Sequence, residues 1–394
     1  MRERAHEMLE AGLADALPHF RVDLARLGAT ADFVADVIRD NYPDLKVPLH
    51  ARWRHFVFGG RDLWAEIADK ASWHDAKARA RAEFDLAIVS VLLDAGAGPD
   101  WRYHDTATGL TTGRSEGLAL ASLRMFETGL FSGNANDPLR ADAARLATLT
   151  ADDLIRGFGV NDANPLAGLE GRAALLARLG RTIQAAPHVF AINDTARAGG
   201  LFDVLADRTK GALPAPDILR ALLIHLGSIW PDRLTLGGRS LGDCWHHRAI
   251  KRDDTTNGLM PLHKLSQWLS YSLIEPLQRA GVAVSDIDGL TGLAEYRNGG
   301  LFIDSGVIAL RDPTQAALPQ PVGSELIVEW RALTVALLDR LLPLVRDTLG
   351  VSAQDFPLGS LLEGGTWAAG RKLAREKRAG GSPPLQVVSD GTVF

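Results

Sequence analysis

The chain has 394 residues, 46% of them hydrophobic and 23% charged, a globular balance with enough length to bury a large core. Its formal net charge is −5 and its pI about 6.1, so it lacks the basic footprint that a general nucleic-acid binder needs to displace counterions. An anionic ligand must therefore meet a local cluster of cations, and a small phosphate ester fits that restriction better than a polynucleotide.

In chain order, charges at Arg2, Glu3, Arg4, Glu7 and Glu10 break up any apolar leader, and the N-terminal segment reads as an amphipathic helix rather than a signal peptide. The longest apolar run, Leu86 to Leu93, is far too short to span a bilayer. With a single cysteine, Cys244, no intrachain disulfide can form, which points to a cytoplasmic protein. Apolar spacing predicts helices over 79–95, over 166–180 with Gly180 as C-cap, over 262–277 with Pro276 at the frayed end, and over 329–345. The strand candidates are 301–310 (LFIDSGVIAL) and the tail QVVSDGTVF, and loops are expected at 96–113, 131–140, 231–242 and 311–324. The expected fold is mainly α with a few short strands. A boundary near residue 135, in SGNANDPLR, divides an N-terminal helical region, 1–135, from a second region, 136–394, unless the two form one domain.

Several familiar motifs fail. Gly365-Thr-Trp-Ala-Ala-Gly370-Arg371-Lys372 has the outline of a phosphate loop, but Arg371 stands where the lysine belongs and Lys372 replaces the magnesium-binding hydroxyl. Gly96-Ala-Gly98 is followed by Trp101 where a dinucleotide fingerprint needs glycine. Neither a zinc-protease helix nor paired cysteines occur, and the adjacent His246 and His247 would point apart on a helix or strand, so no metal and no cofactor is expected.

Two segments carry chemistry. Gly258-Leu-Met-Pro-Leu-His263-Lys264 opens a helix, and the free N–H groups of a helix start beside a lysine suit a phosphate. The bland alternative leaves Lys264 on a solvated face and Trp268 in the core. Thr291-Gly-Leu-Ala-Glu295-Tyr296-Arg297 sets a carboxylate beside an aromatic ring, where it can stabilise a cationic transition state or orient water. The same residues serve equally well as a structural ion pair, Glu295 with Arg297 or with Arg331.

These segments resemble those of the queuosine-salvage nucleotide N-glycosylases, whose fold is similar to the core of helix-hairpin-helix DNA glycosylases. That family has Y-K-R-A-Q, then T-x-F-A-D-Y-R, then V-E-I-R; this chain has His263-Lys264-Leu-Ser-Gln267, Thr291-Gly-Leu-Ala-Glu295-Tyr296-Arg297 and Val328-Glu329-Trp330-Arg331 in the same order. The resemblance implies that Glu295 is the catalytic carboxylate and Lys264 a phosphate or sugar contact. Glutamate in place of aspartate lengthens the reach by one methylene.

A nearly full-length resemblance is to the family containing the fourth protein of the fungal and bacterial uracil catabolism pathway. It is carried by Trp53-Arg-His-Phe56, Phe84 through Ser90-Val-Leu-Leu-Asp94 to Gly98, Gly113-Arg-Ser-Glu-Gly117, Asn164-Pro-Leu166, His263 to Leu269, Glu295 to Leu301, Glu363-Gly-Gly-Thr-Trp367 and Ser389 to Phe394. That pathway joins uracil to ribose phosphate, opens the ring and releases urea. Together the resemblances imply an N-ribosyl hydrolase cleaving ribosylurea 5-phosphate to urea and ribose 5-phosphate. The alternatives are an amidohydrolase acting on the ureido group and a non-catalytic partner of the ring-opening enzyme; association with other enzymes of uracil catabolism is also expected. Further candidate contacts are Arg297, His263, Tyr296 and Arg114, with Glu116 or Asp243 receiving urea N–H groups and Trp101 covering the flat leaving group. Helix capping by Glu116 and core packing by Trp101 are the plain alternatives. The basic residues Arg371, Lys372, Arg375, Lys377 and Arg378 read as a solvated helix face.

Overall fold

A computed structural model describes residues 1–207, 211–230 and 233–388. The protein is mainly helical, and its described strands form short two-stranded pairs. Two helices are buried almost all round and form its centre. Glu325–Leu349 is capped by Ser324, whose hydroxyl accepts the Ile327 N–H, and it ends on Gly350 in the left-handed region. Ala76–Leu92 is capped by Asp75 and is continuously buried from Ala82 to Leu92. Helices with an apolar surface on every side must be wrapped by others. Arg2–Leu13, Leu27–Asn41 and Tyr296–Asp304 pack on the first, while Lys264–Arg279 and Arg114–Glu127 pack on the second. Buried apolar residues from both sides of position 135 join one cluster.

The expected helices are present with shifted ends. Lys264–Arg279 does not fray at Pro276: the proline deprives the Ser272 carbonyl of its helical partner, and the Trp53 indole N–H takes that carbonyl at 2.6 Å. Gly180 is not a C-cap but an interior residue of Leu169–Gln184, which runs on to Ala185. It is glycine because helix Ala143–Ala147 crosses there, where a Cβ would lie 2.6 Å from the Ala143 carbonyl oxygen and 2.8 Å from the Ala147 Cα. The strand expected over 301–310 is helix as far as Asp304, since capping by Glu295 starts a helix that overrides the local β preference; Gly306 turns the chain, and only Ile308–Leu310 pairs, with Phe20–Val22. In the C-terminal strand candidate Val387–Val388 pairs with Gln320–Pro321, and 389–394 lie outside the described residues. The expected loop 96–113 contains a small hairpin, Tyr103–Asp105 with Leu110–Thr112. The N-terminal helix is present, and Arg2 reaches Asp339 at 2.8 Å. No helix among the described residues is long and apolar enough to cross a membrane.

Replacing Gly180 tests the crossing. Alanine is the better helix former, yet Gly180→Ala should lower stability by about 1–3 kcal/mol through overpacking against backbone. Urea denaturation reads this directly, and a variant more stable than wild type would show that the helices do not cross so closely.

Candidate active site

One cleft gathers most of the charged residues singled out in the sequence. It lies where three helices begin, those starting at Arg114, Lys264 and Tyr296, and it is closed by the turn around Arg52–Phe56 and by helix Trp367–Lys377. Each helix start presents unpaired N–H groups and a partial positive charge. The three starts are treated differently.

At the first, Glu295 is the N-cap: one carboxylate oxygen accepts the Arg297 N–H at 2.7 Å and the other the Asn298 N–H. Burial pushes this carboxyl up, and the two N–H groups, Lys264 and His50 pull it back. Of the ion pairs weighed from sequence, neither describes what holds Glu295. The Arg297 guanidinium donates to the Gly381 carbonyl at 2.8 Å and lies 4.9 Å from the Tyr296 ring centre, while Arg331 holds Asp243.

The second start is filled by Asp243. Its carboxylate accepts the Lys264 N–H at 2.9 Å and the Trp245 indole N–H at 2.7 Å, and takes Arg331 bidentately at 2.8 and 2.7 Å. Burial alone would push Asp243 up, yet Arg331 and these donors hold it well below the usual carboxylate range. The phosphate expected on the N–H groups of this helix therefore meets a resident carboxylate, and that expectation is corrected. The Lys264 side chain does reach the cleft, with its ammonium 5.5 Å from the Trp268 ring centre. Burial lowers its pKa, and Asp94 and Glu295 oppose the shift.

The third start, Gly113 ahead of Arg114–Glu127, has no side-chain cap. Arg114, Ser115 and Glu116 line the cleft there, Arg114 at φ 55°, and Glu116 takes Arg371 at 2.9 Å. Glu116 thus forms an ion pair across the mouth rather than a cap.

Of the nine site candidates, Glu295, Tyr296, Arg297, Lys264, Arg114 and Glu116 line this cleft. Three do not. Trp101 is fully buried, its indole N–H on the Phe158 carbonyl at 3.1 Å, and it packs beneath Gly117, where a Cβ would come within 2.9 Å of the ring; it supports the helix start and covers no ligand. Asp243 lies behind the cleft wall. His263, at φ 47°, faces a separate, largely apolar cavity beside Cys244 and Trp230, and burial lowers its pKa. As expected, His246 and His247 point apart: one is exposed, while the other is buried against Glu329 at 3.1 Å.

Sequence reasoning missed His50, His55, Asp94, Ser115, Trp367 and Arg371, which also line the cleft. Trp268 is buried in the core, as read, and its ring also stacks on His50 at 5.9 Å in the cleft wall. Asp94 is held by the fully buried Arg52 at 2.9 Å, and His50 Nδ1 lies 2.6 Å from Glu363. Burial, then Arg52, pushes the His55 pKa well down, so His55 is neutral near pH 7. Arg371, grouped with the solvated basics, stacks 4.6 Å from the Trp367 ring centre. No spacing rule marks these residues. The one signal was that His55, Asp94, Ser115, Trp367 and Glu363 fall within the family-like segments.

Fold and cleft define a mainly helical protein with a charge-lined cleft built on converging helix starts. A family model described as "Protein of unknown function (DUF1688)" matches residues 1–394, and the chain belongs to that family. It is 40% identical over 405 residues to Protein urg3 of Schizosaccharomyces pombe, covering 100% of this chain and 96% of that protein. It is also 38% identical to Uracil catabolism protein 4 of Lachancea kluyveri, covering 95% of this chain and 92% of that one.

Removing Asp243 should destabilise the cleft wall strongly. Asp243→Ala leaves the buried Arg331 without the carboxylate that neutralises it, which costs about 3–5 kcal/mol. Because the folded-state pKa of Asp243 is depressed, its contribution is complete above the unfolded carboxylate value of about 4 and is lost as pH falls below it. Urea midpoints of wild type and variant should therefore differ most near pH 7 and converge in acid. A pH-independent difference would contradict the pairing.

Proposed function

We propose that the cleft hydrolyses the N-glycosidic bond of a small phosphorylated riboside in uracil catabolism, with ribosylurea 5-phosphate as the substrate that fits best. The observation carrying this reading is Glu295: a buried carboxylate pinned by two backbone N–H groups, in a cleft it shares with Lys264, Arg114, Arg297 and Arg371. The relative named Uracil catabolism protein 4 supports the pathway, and the segment order supports kinship with nucleotide N-glycosylases and a helix-hairpin-helix type of core. The reducing setting inferred from a lone, buried cysteine suits a cytoplasmic enzyme.

In this reading the C1–N bond breaks dissociatively and positive charge develops on the sugar ring. A carboxylate that cannot swing away stabilises that charge without reorganisation and orients the incoming water. The uncapped helix start at Gly113, with Arg114 at the mouth, receives the phosphate. Lys264 and Arg297 are left to hold the sugar hydroxyls. Binding energy from the distant phosphate is then used at the reacting carbon.

Purified protein given ribosylurea 5-phosphate should release urea and ribose 5-phosphate in equal amounts. Ammonia without urea would make it an amidohydrolase, and no turnover without the ring-opening enzyme would make it a partner protein. Glu295→Gln should lose roughly a thousandfold in kcat, as for removal of a transition-state charge. Glu295→Asp separates catalysis from capping. Aspartate is the better N-cap, so stability should hold, while the retracted carboxylate should cost roughly a hundredfold in turnover. Full activity in the aspartate variant would leave Glu295 a cap and nothing more.

Arg114→Ala should raise KM for the phosphorylated substrate by roughly 10- to 150-fold, the range of a lost charge-assisted contact, and leave the dephosphorylated riboside little changed. Equal penalties on both would remove the phosphate from this end of the cleft.

A further inference from the structure

Urea is a very poor anionic leaving group, so a glycosidase acting on a ureido riboside must give the departing nitrogen a proton. Burial raises the pKa of Glu295, but both of its oxygens already accept backbone N–H groups, so it is poorly placed to present a proton to the departing nitrogen. The guanidinium groups of Arg114, Arg297 and Arg371 do not release protons near neutral pH. His55 is held neutral, with its Nδ1 buried and unpartnered among the described residues.

His50 is different. Its Nδ1 lies 2.6 Å from Glu363 Oε2, while Nε2 makes no hydrogen bond to the described residues in the cleft wall. A carboxylate on one ring nitrogen fixes the tautomer, orients the ring and stabilises the imidazolium, leaving the other nitrogen to deliver a proton. The local fold holds this pair firmly. The His50 N–H donates to the Gly359 carbonyl at 2.9 Å, and Trp268 stacks on the ring. Glu363 sits in a π-helical turn, Leu361–Thr366, the kind of irregular turn that is concentrated at functional sites. That turn is tied to the Glu295 helix, because the Thr366 hydroxyl donates to the Asn298 side-chain oxygen at 2.8 Å. One framework therefore carries both carboxylates.

Resting on the glycosidic reading above, we propose that His50, oriented by Glu363, is the general acid that protonates the leaving ureido nitrogen. The proton passes from His50 Nε2 to that nitrogen as the C1–N bond breaks, and the bonding electron pair goes to nitrogen. The oxocarbenium ion forms opposite Glu295, water adds its oxygen to C1, and the proton lost from that water restores the His50 imidazolium. Urea and ribose 5-phosphate leave, with one water consumed.

The test is the dependence on leaving group, using ribosylurea 5-phosphate and 4-nitrophenyl ribofuranoside 5-phosphate, whose nitrophenolate departs without a proton. His50→Asn should lower kcat/KM for the ureido substrate by roughly 10²- to 10⁴-fold and for the nitrophenyl substrate by less than about tenfold. Glu363→Gln keeps a hydrogen-bond acceptor for Nδ1 and removes only the charge. It should show the same selectivity in smaller degree, and it carries the test if His50→Asn folds poorly. Equal losses on both substrates would reduce His50 to a structural role and overturn the proposal. A wild type that turns over neither substrate would overturn the glycosidic reading, and the acid with it.

Discussion

The cleft depends on a carboxylate that caps a helix from its buried side. N-caps are usually short side chains, because serine, threonine, aspartate and asparagine reach the first N–H groups with little entropy to lose. Glu295 does the same task with one more methylene, and both of its oxygens are engaged at once. Burial works against the charge, while Lys264, His50 and the start of the helix work for it. The helix it caps is held in place from behind: at Gly299 a Cβ would lie 2.7 Å from the Trp330 ring, so that helix lies flush against Glu325–Leu349. A carboxylate fixed to backbone on a helix so closely packed is a rigid electrostatic feature, and in the proposed reaction that rigidity lets it act on a charge that exists only transiently.

The three helix starts divide the labour. Asp243 fills one permanently, and its bidentate pair with Arg331 locks the wall at Lys264. Glu295 fills another while still facing the cleft. The start at Gly113 carries no side-chain cap and has arginine at its mouth. A chain with a net charge of −5 thus gathers Arg114, Lys264, Arg297 and Arg371 at one cleft, which on the proposed reading offers an anionic ligand local cations.

Much of the helical framework was legible because it is written in apolar spacing. The 25-residue helix Glu325–Leu349 and the helix Lys264–Arg279 announce themselves by leucines at three- and four-residue steps. Their ends were less legible, because the termination signals at Pro276 and Gly180 were overruled by tertiary contacts: an indole N–H supplied by Trp53, and a crossing helix that leaves no room for a side chain. The same holds for the site. Glu295, Lys264 and Arg114 stand in segments whose order carries a resemblance, so they could be named. His50 and Glu363, separated by 313 positions, are brought together by a π-helical turn that no local rule predicts. Trp101 was misplaced for a related reason: an aromatic in a glycine-rich loop reads alike whether it faces a ligand or, as here, the underside of a helix start.

Two carboxylates bound differently can perform different tasks, one lining the cleft and the other behind a histidine that lines it. Glu295 is held by backbone N–H groups, which are too weakly acidic to hand over a proton in catalysis, so its oxygens are fixed as acceptors. Glu363 is held by an imidazole, which exchanges protons readily, so the Glu363–His50 pair is suited to move one. The tie between Thr366 and Asn298 keeps the two supports in register, since the residue that donates to Glu295 also accepts from the turn that carries Glu363. A displacement of either helix would therefore disturb both groups together. On the proposed glycosidic reading this coupling matters, because the proton must arrive at the leaving nitrogen as charge develops at the adjacent carbon.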